Sequence, residues 1–410
     1  MLLAACSGSG AASEITSGPQ TTAETAAPPI PATTPTTPKN TTELPAATAS
    51  SESAVPETSV PAPEAWAPIG AGQYEVGVAT IVIEDPDGIR PLTVDVWFPL
   101  GGGVDATTLA PQQYTLLPGV YYESPTAFAA TADHAADGPF PLIVYSHGSG
   151  GLRYIHSAYT EQLASHGYIV VAPDHTGNTA VDRLAGSNAA PEEIAFNRPT
   201  DVGRVIDAFV DPSHPTAGPY ATHVDAERVV VTGHSFGGFT PIATVTGFAN
   251  ELGEVPADDR VDAIIVLAPA VSTTLLSDEL IATIDVPMMV LVGTDDVTTP
   301  VDPNVTRLWD ASTSTPAYRI ELVAGEHQTF TDICSYQDSI PALANVPEIV
   351  TETIDTFAVE GCSPGDIDDT RANEITTTYV LGFLDQVLHG GNPIDPATVT
   401  PPDDVIFQSR

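Results

Sequence analysis

The amino-acid sequence predicts an α/β fold: a mostly parallel central sheet of about eight strands with helices on both faces. Three observations predict it. Short apolar runs recur without polar alternation, as strands buried on both faces require. Segments of helical period fall between those runs. One run leads straight into a glycine-flanked serine, the sequence form of a tight strand-to-helix turn.

Residues 74–83 read as a long strand and Asp85-Pro86-Asp87-Gly88 as a turn. Residues 92–98 alternate with period two, so the first two strands form an antiparallel hairpin. A loop-rich stretch follows. Then come Leu142-Ile143-Val144-Tyr145, Ile169-Val170-Val171-Ala172 and Val229-Val230-Val231, and later residues 263–267, 288–292 and 318–323. The last of these reads as the final strand. Helices are expected at 157–166, at 201–210, directly after Ser235 and at 375–388. In the second, Val202, Val205, Ile206, Phe209 and Val210 share one face.

The N-terminal region has a different composition. Residues 7–68 are almost all Ala, Thr, Pro, Ser, Gly and Glu, too little apolar surface to offset chain entropy, and read as a flexible linker. Before it, Leu3-Ala4-Ala5-Cys6-Ser7-Gly8 is similar to a bacterial lipobox, in which the cysteine is lipidated. The basic n-region and most of the apolar h-region that precede such a cysteine are missing, so residues 1–6 read as a truncated lipoprotein signal. The expected organisation is therefore 1–6 signal, 7–68 linker and 69–410 catalytic domain. The expected location is the cell envelope, anchored outside the membrane through lipid on Cys6, or the medium.

With 12 basic against 53 acidic residues the net charge is −41, which argues against nucleic acid and against a basic membrane-binding patch. Beyond Cys6 only Cys334 and Cys362 remain, and an exported protein can join them in a disulfide. Neither sits in a metal-ligand spacing, so no zinc site is expected.

The chemistry centres on Gly233-His234-Ser235-Phe236-Gly237. A serine forced through such a bend needs tiny neighbours two positions either side, and it stands at the positive end of the following helix. Its hydroxyl is a poor nucleophile without a base in reach. In this fold type the order is Ser, then Asp or Glu, then His. His327 lies after the 318–323 strand, where that base belongs, whereas His389 ends the last helix and reads as a structural cap. After the 288–292 strand Asp295 and Asp296 stand side by side; an Asp four residues before Pro300 selects Asp296, with Asp295 as a turn residue. The glycines of Ser146-His147-Gly148-Ser149-Gly150-Gly151 let backbone N–H groups face the site. The Phe236 amide and that of Ser149, or alternatively Gly150, are the candidate oxyanion donors. His147 reads as structural, holding that loop by hydrogen bonds.

These motifs together resemble the platelet-activating-factor acetylhydrolase family of α/β-hydrolases. The resemblance rests on residues 140–148, on residues 163–175 with their Asp174-His175 pair, on Gly233-His234-Ser235-Phe236-Gly237-Gly238 and on His327-Gln328-Thr329-Phe330. It spans roughly residues 73–388. Dienelactone-hydrolase-like proteins and bacterial polyester hydrolases share much of it, although dienelactone hydrolases proper use a cysteine where this chain has Ser235. The resemblance implies calcium-independent hydrolysis of carboxylic esters by Ser235, Asp296 and His327, with no cofactor and no chemistry at Asp174 or His175.

The expectation is therefore a serine esterase acting through an acyl-enzyme on short-chain esters, platelet-activating-factor-like phospholipids included, as a monomer. A polyester hydrolase, a peptidase or an acyltransferase on the same triad are the alternatives; a binding module would be expected to lose a triad member. Residues 331–370 match no motif. If Cys334 and Cys362 are bonded, they pin the chain just after His327, with a helical 340–357 near the pocket mouth.

Overall fold

A computed structural model of the chain describes residues 64–85 and 88–410. Cys6 and most of the expected linker lie outside the described residues. The domain starts earlier than position 69. Glu64–Ala65 pairs with Val399–Thr400, and the indole of Trp66 lies under the Arg371 guanidinium, 4.5 Å from its ring centroid.

The sheet has eleven strands rather than eight. They are β1 (Val76–Ile83), β2 (Leu92–Pro99), β3 (Pro111–Leu117), β4 (Val120–Ala129), β5 (Phe140–Ser146), β6 (Ile169–Pro173), β7 (Val224–His234), β8 (Val261–Leu267), β9 (Met288–Gly293), β10 (Ala317–Leu322) and β11 (Val405–Ser409). Their order is β11-β10-β9-β8-β7-β5-β6-β2-β1-β4-β3. The six strands from β10 to β6 in that order run parallel, and the fully apolar stretches are theirs. The antiparallel β1–β2 hairpin forms as expected. The additional strands sit at the two edges, β3–β4 on one side and β11 on the other. β11, paired antiparallel with β10, corrects the reading of 318–323 as the final strand.

Helices cover both faces: α1 (Ser157–Ser165), α2 (Pro191–Phe209), α3 (Phe236–Thr246), α4 (Ile333–Ser339), α5 (Glu348–Ala358) and α6 (Asp369–His389). Two hydrophobic clusters reflect the sheet's two sides. In one, α2 and α3 pack with Leu142, Val144, Val231 and Val266; in the other, α1 and α6 pack with Ile143, Tyr145, Val230 and Ile265. Alternate residues of each central strand feed opposite clusters, which is why those strands carry no polar alternation. α2 begins ten residues before the expected 201. Pro191 in its first turn with Glu192 and Glu193 is a helix start, since the ring fits the first turn and the acids face the positive end. α6 begins at an Asp368 cap and ends at Gly390 with φ of 72°, so His389 sits in the last turn as expected. The 340–357 helix does not form as one piece. Pro341 and Pro347 interrupt it, leaving a short 3-10 turn at Ile340–Ala342, directly after α4, and then α5. This segment forms a third cluster of its own, with Ile333, Tyr336, Ile340 and Ile354 against Val120 of β4.

Candidate active site

Strand β7 ends at His234 and α3 starts at Phe236, so Ser235 alone makes the turn, with φ of 59° and ψ of −122°. That backbone is costly for a residue with a side chain and persists only where the surroundings fix it. Glycines permit it: a Cβ on Gly233 would lie 2.1 Å from the Gly237 carbonyl oxygen, and one on Gly237 would lie 1.9 Å from that of Ser146. The Ser235 N–H donates to Leu267 O at the end of β8 (2.9 Å), tying the bend to the sheet.

Three loops at the carboxyl ends of parallel strands converge on this serine. His327, in the turn after β10, places Nε2 2.9 Å from Ser235 Oγ. Its Nδ1 lies 2.9 Å from Asp296 Oδ2, in the loop after β9. Asp296 is buried and Asp295 exposed, with Asp295 accepting from the neighbouring Thr294 hydroxyl as a turn residue does. Of the two neighbouring acids, Asp296 is therefore the one beside His327. Burial pushes the Asp296 carboxyl up, but hydrogen bonds from His327 and Thr299 outweigh it and leave the group below its ordinary range. Thr298 N–H and Thr299 N–H both donate to Oδ1, at 2.9 and 2.7 Å, and the Thr299 hydroxyl donates to Oδ2 at 2.8 Å. A carboxylate so held stays ionised and fixes the imidazole tautomer.

The third loop follows β5. Ser146 stands beside Gly233 in register, and a Cβ on Gly148 would be 3.3 Å from Ser235 Cβ, so this loop runs alongside the serine at Gly148. Gly150 N–H donates to Asn178 O (3.1 Å). Of the two amides named as oxyanion candidates, that of Gly150 is thus engaged within the fold. Phe236 N–H opens α3, where the first amides of a helix have no partner within it.

Several residues around the site carried no sequence signal. His234 is buried, and its Nε2 is 2.8 Å from the main-chain oxygen of His327. Desolvation, helped by the nearby His327, pulls His234 down to about 3, so the ring is a neutral strut for the base loop. Glu360 grips two loops at once. Its carbonyl accepts from Gln328 N–H (2.7 Å), and its carboxylate accepts from the Thr298 hydroxyl (2.6 Å). Two residues on, Cys362 is bonded to Cys334 of α4, as the cysteine count suggested. His147 holds its loop as expected, through Nδ1 on Gly148 O at 2.7 Å. Asp174 pairs with Arg153, and His175 is buried between Asp201 and Ser146. Among the described residues no group of three or more metal-ligating side chains is clustered, and no helix is long and apolar enough to cross a membrane.

Fold and site together define an α/β-hydrolase with a Ser–His–Asp chain. It is similar to platelet-activating factor acetylhydrolases and esterases. The family profile described as "Platelet-activating factor acetylhydrolase, isoform II" matches residues 112–198. A platelet-activating factor acetylhydrolase of cattle (Bos taurus) is 27% identical over 189 residues, 35% of this chain and 42% of that protein. A probable 1-alkyl-2-acetylglycerophosphocholine esterase of the fungus Arthroderma benhamiae is 27% identical over 122 residues, 28% of this chain and 30% of that one. The aligned stretch thus spans less than half the length of these curated relatives. A ferulic acid esterase from Streptomyces cinnamoneus is similar across the fold, with a TM-score of 0.61, 26% identity, and coverage of 85% of this chain and 99% of that one.

Proposed function

We propose that this chain is a carboxylic-ester hydrolase working through an acyl-enzyme on Ser235. The observation that carries the reading is the unbroken path Ser235 Oγ–His327–Asp296, each link 2.9 Å, at a strained bend. His327 takes the serine proton as Oγ attacks the ester carbon and returns it to the leaving alcohol. Asp296 stabilises the imidazolium meanwhile. The amides of Phe236 and Ser149 receive the developing oxyanion. Water then repeats the cycle to release the acid.

Short acyl esters, platelet-activating-factor-like phospholipids among them, are the first substrate class, in keeping with the names of the curated relatives. The likeness to a ferulic acid esterase over nearly that enzyme's whole length favours hydroxycinnamate esters as a second. Nitrophenyl esters of about two to twelve carbons, methyl ferulate and an acetylated phospholipid, each with wild type and Ser235→Ala beside a fluorophosphonate probe, test both. Turnover and labelling that vanish together in the variant support the mechanism, and the preferred ester ranks the two classes. Wild type that neither turns over nor labels refutes it. Export and lipidation of Cys6 belong to the same proposal, supported by the Cys334–Cys362 bridge, which forms in oxidising compartments. Labelled fatty acid failing to join Cys6 in a bacterial host would remove the anchor.

A further inference from the structure

The Gly148 carbonyl lies in the loop beside Ser235, and three donors converge on it. Gly151 N–H reaches it at 3.1 Å, His147 Nδ1 at 2.7 Å and Arg198 Nη2 at 3.1 Å. The His147 donor role follows from its other nitrogen. Nε2 accepts from the His175 main-chain N–H at 3.1 Å, so in the neutral ring the proton sits on Nδ1. Arg198 itself is fully buried on α2. It also donates to His147 O and Ser146 Oγ, and twice to Asn178 Oδ1, at 2.6 and 3.3 Å. Its guanidinium lies 5.2 Å from the centroid of the Phe236 ring. Among the described residues no carboxylate lies within ion-pair distance of it, whereas most other arginines have one.

Gly148 O and Ser149 N–H belong to one trans peptide unit, so they point in opposite directions. Fixing the carbonyl therefore fixes the amide. Hydrogen bonds received by a carbonyl also polarise the N–H of the same unit, and a charged donor does so most. We propose that Arg198, with His147, is the positioning residue of the oxyanion hole: it holds and polarises the Gly148–Ser149 peptide so that Ser149 N–H faces the oxygen of the tetrahedral intermediate. The proposal rests on the ester-hydrolase reading above. It assigns a function to a buried cation that takes no part in the proton path. No bond is made or broken at Arg198; its contribution is to the field and geometry at the oxyanion.

The test compares Arg198→Met, Arg198→Lys, His147→Leu and His147→Asn, each with active sites titrated and melting temperature measured. An aryl trifluoromethyl ketone serves as oxyanion analogue, and a non-hydrolysable ether analogue of the best ester reports ground-state binding. Arg198→Met should lower kcat about 100-fold with KM nearly unchanged, and weaken the ketone in parallel. Arg198→Lys keeps the charge without the planar fork and should lose about tenfold. His147→Asn retains a donor near the Nδ1 position and should recover most of what His147→Leu loses. Ether affinity should stay constant throughout. A brace of purely structural importance predicts a lower melting temperature with unchanged kcat per titrated site and unchanged ketone affinity; that result overturns the proposal. If Arg198→Met does not fold, the His147 pair decides by the same criteria. Wild type without turnover would instead defeat the ester-hydrolase reading, so the two failures are distinguishable.

Discussion

Two Ser–His–Asp chains lie within this one molecule. In the first, Ser235, His327 and Asp296 are joined by contacts of 2.9 Å. In the second, Ser146 Oγ is 2.8 Å from His175 Nε2, and His175 Nδ1 is 3.0 Å from Asp201 Oδ2. By connectivity they are alike. They differ in what else touches the serine. Ser146 is wholly buried at the end of β5, 3.0 Å from the Thr240 hydroxyl and accepting from Arg198 at 3.1 Å. Ser235 is partly exposed on a strained bend at a helix start. Asp201 is shared with Arg90 and Arg204 as well as His175. Desolvation, helped by the adjacent Arg198, holds His175 well below its ordinary range, so it stays neutral. A string of hydrogen bonds is thus not by itself a catalytic arrangement: of the two serines only Ser235 is partly exposed, on a strained bend at a helix start. The buried chain instead anchors β5, whose end leads into the 147–151 loop.

That contrast can be broken at the serines. Ser235→Ala should abolish fluorophosphonate labelling and lower kcat/KM by at least about 10³-fold. Ser146→Ala should keep labelling and lose about 1–3 kcal/mol of stability, because buried partners go unsatisfied. Labelling that survives Ser235→Ala would reverse the roles.

The acids sharpen it. Asp296→Asn should reduce kcat by about 10³–10⁴-fold with the fold intact, because the imidazole loses its orienting charge. Asp201→Asn should leave Arg90 and Arg204 without a buried counter-charge and cost about 3–5 kcal/mol in denaturant melts. Asp295→Asn should change kcat less than about twofold, as a surface turn residue does. An Asp295 effect equal to that of Asp296 would contradict the assignment.

The last expected effect concerns Asp332, which joins the base loop to α1. It accepts from Ser157 Oγ and from Ala158 N–H at 3.1 Å. Burial pushes its carboxyl up to about 7, with hydrogen bonds from Ser157 and Ala158 resisting. A carboxyl raised on folding binds more protons in the native state than in the unfolded chain. Its ionisation therefore costs stability as pH rises from about 4 through 7, and that cost is complete above about 7. Asp332→Asn should leave the melting temperature near wild type at about pH 4.5 and raise it at about pH 8.5. An equal shift at both values would mean that Asp332 does not titrate in this window.

Most of the Ser235–His327–Asp296 chain was legible because it depends on local patterns. The elbow needs two glycines and a β-branched run, and His327 was placed by its position after a buried strand. The parallel strands declared themselves through Leu142 to Tyr145 and their counterparts, which meet helices on both faces. The edge strands did not. Pro111 to Leu117 and Val405 to Ser409 are half exposed, so their composition resembles loop. The supports of the site were illegible for another reason. Arg198 reaches Ser146 and Gly148 across about fifty residues, and Glu360 reaches Thr298 across sixty-two, with no local period to mark either. Such residues are chosen by the folded geometry, and only that geometry shows them.

Glu360 and the Cys334–Cys362 bridge belt together the segments that bear the acid and the base. The bridge joins positions 28 apart, worth about 3–4 kcal/mol by restriction of the unfolded chain. The His327–Asp296 contact itself is made without the bridge, so the bridge acts only by holding Glu360 and its neighbours against the two loops. Reduction of the bridge is therefore expected to lower any ester turnover at temperatures where the sheet is still folded, which activity and melting curves with and without thiol would show.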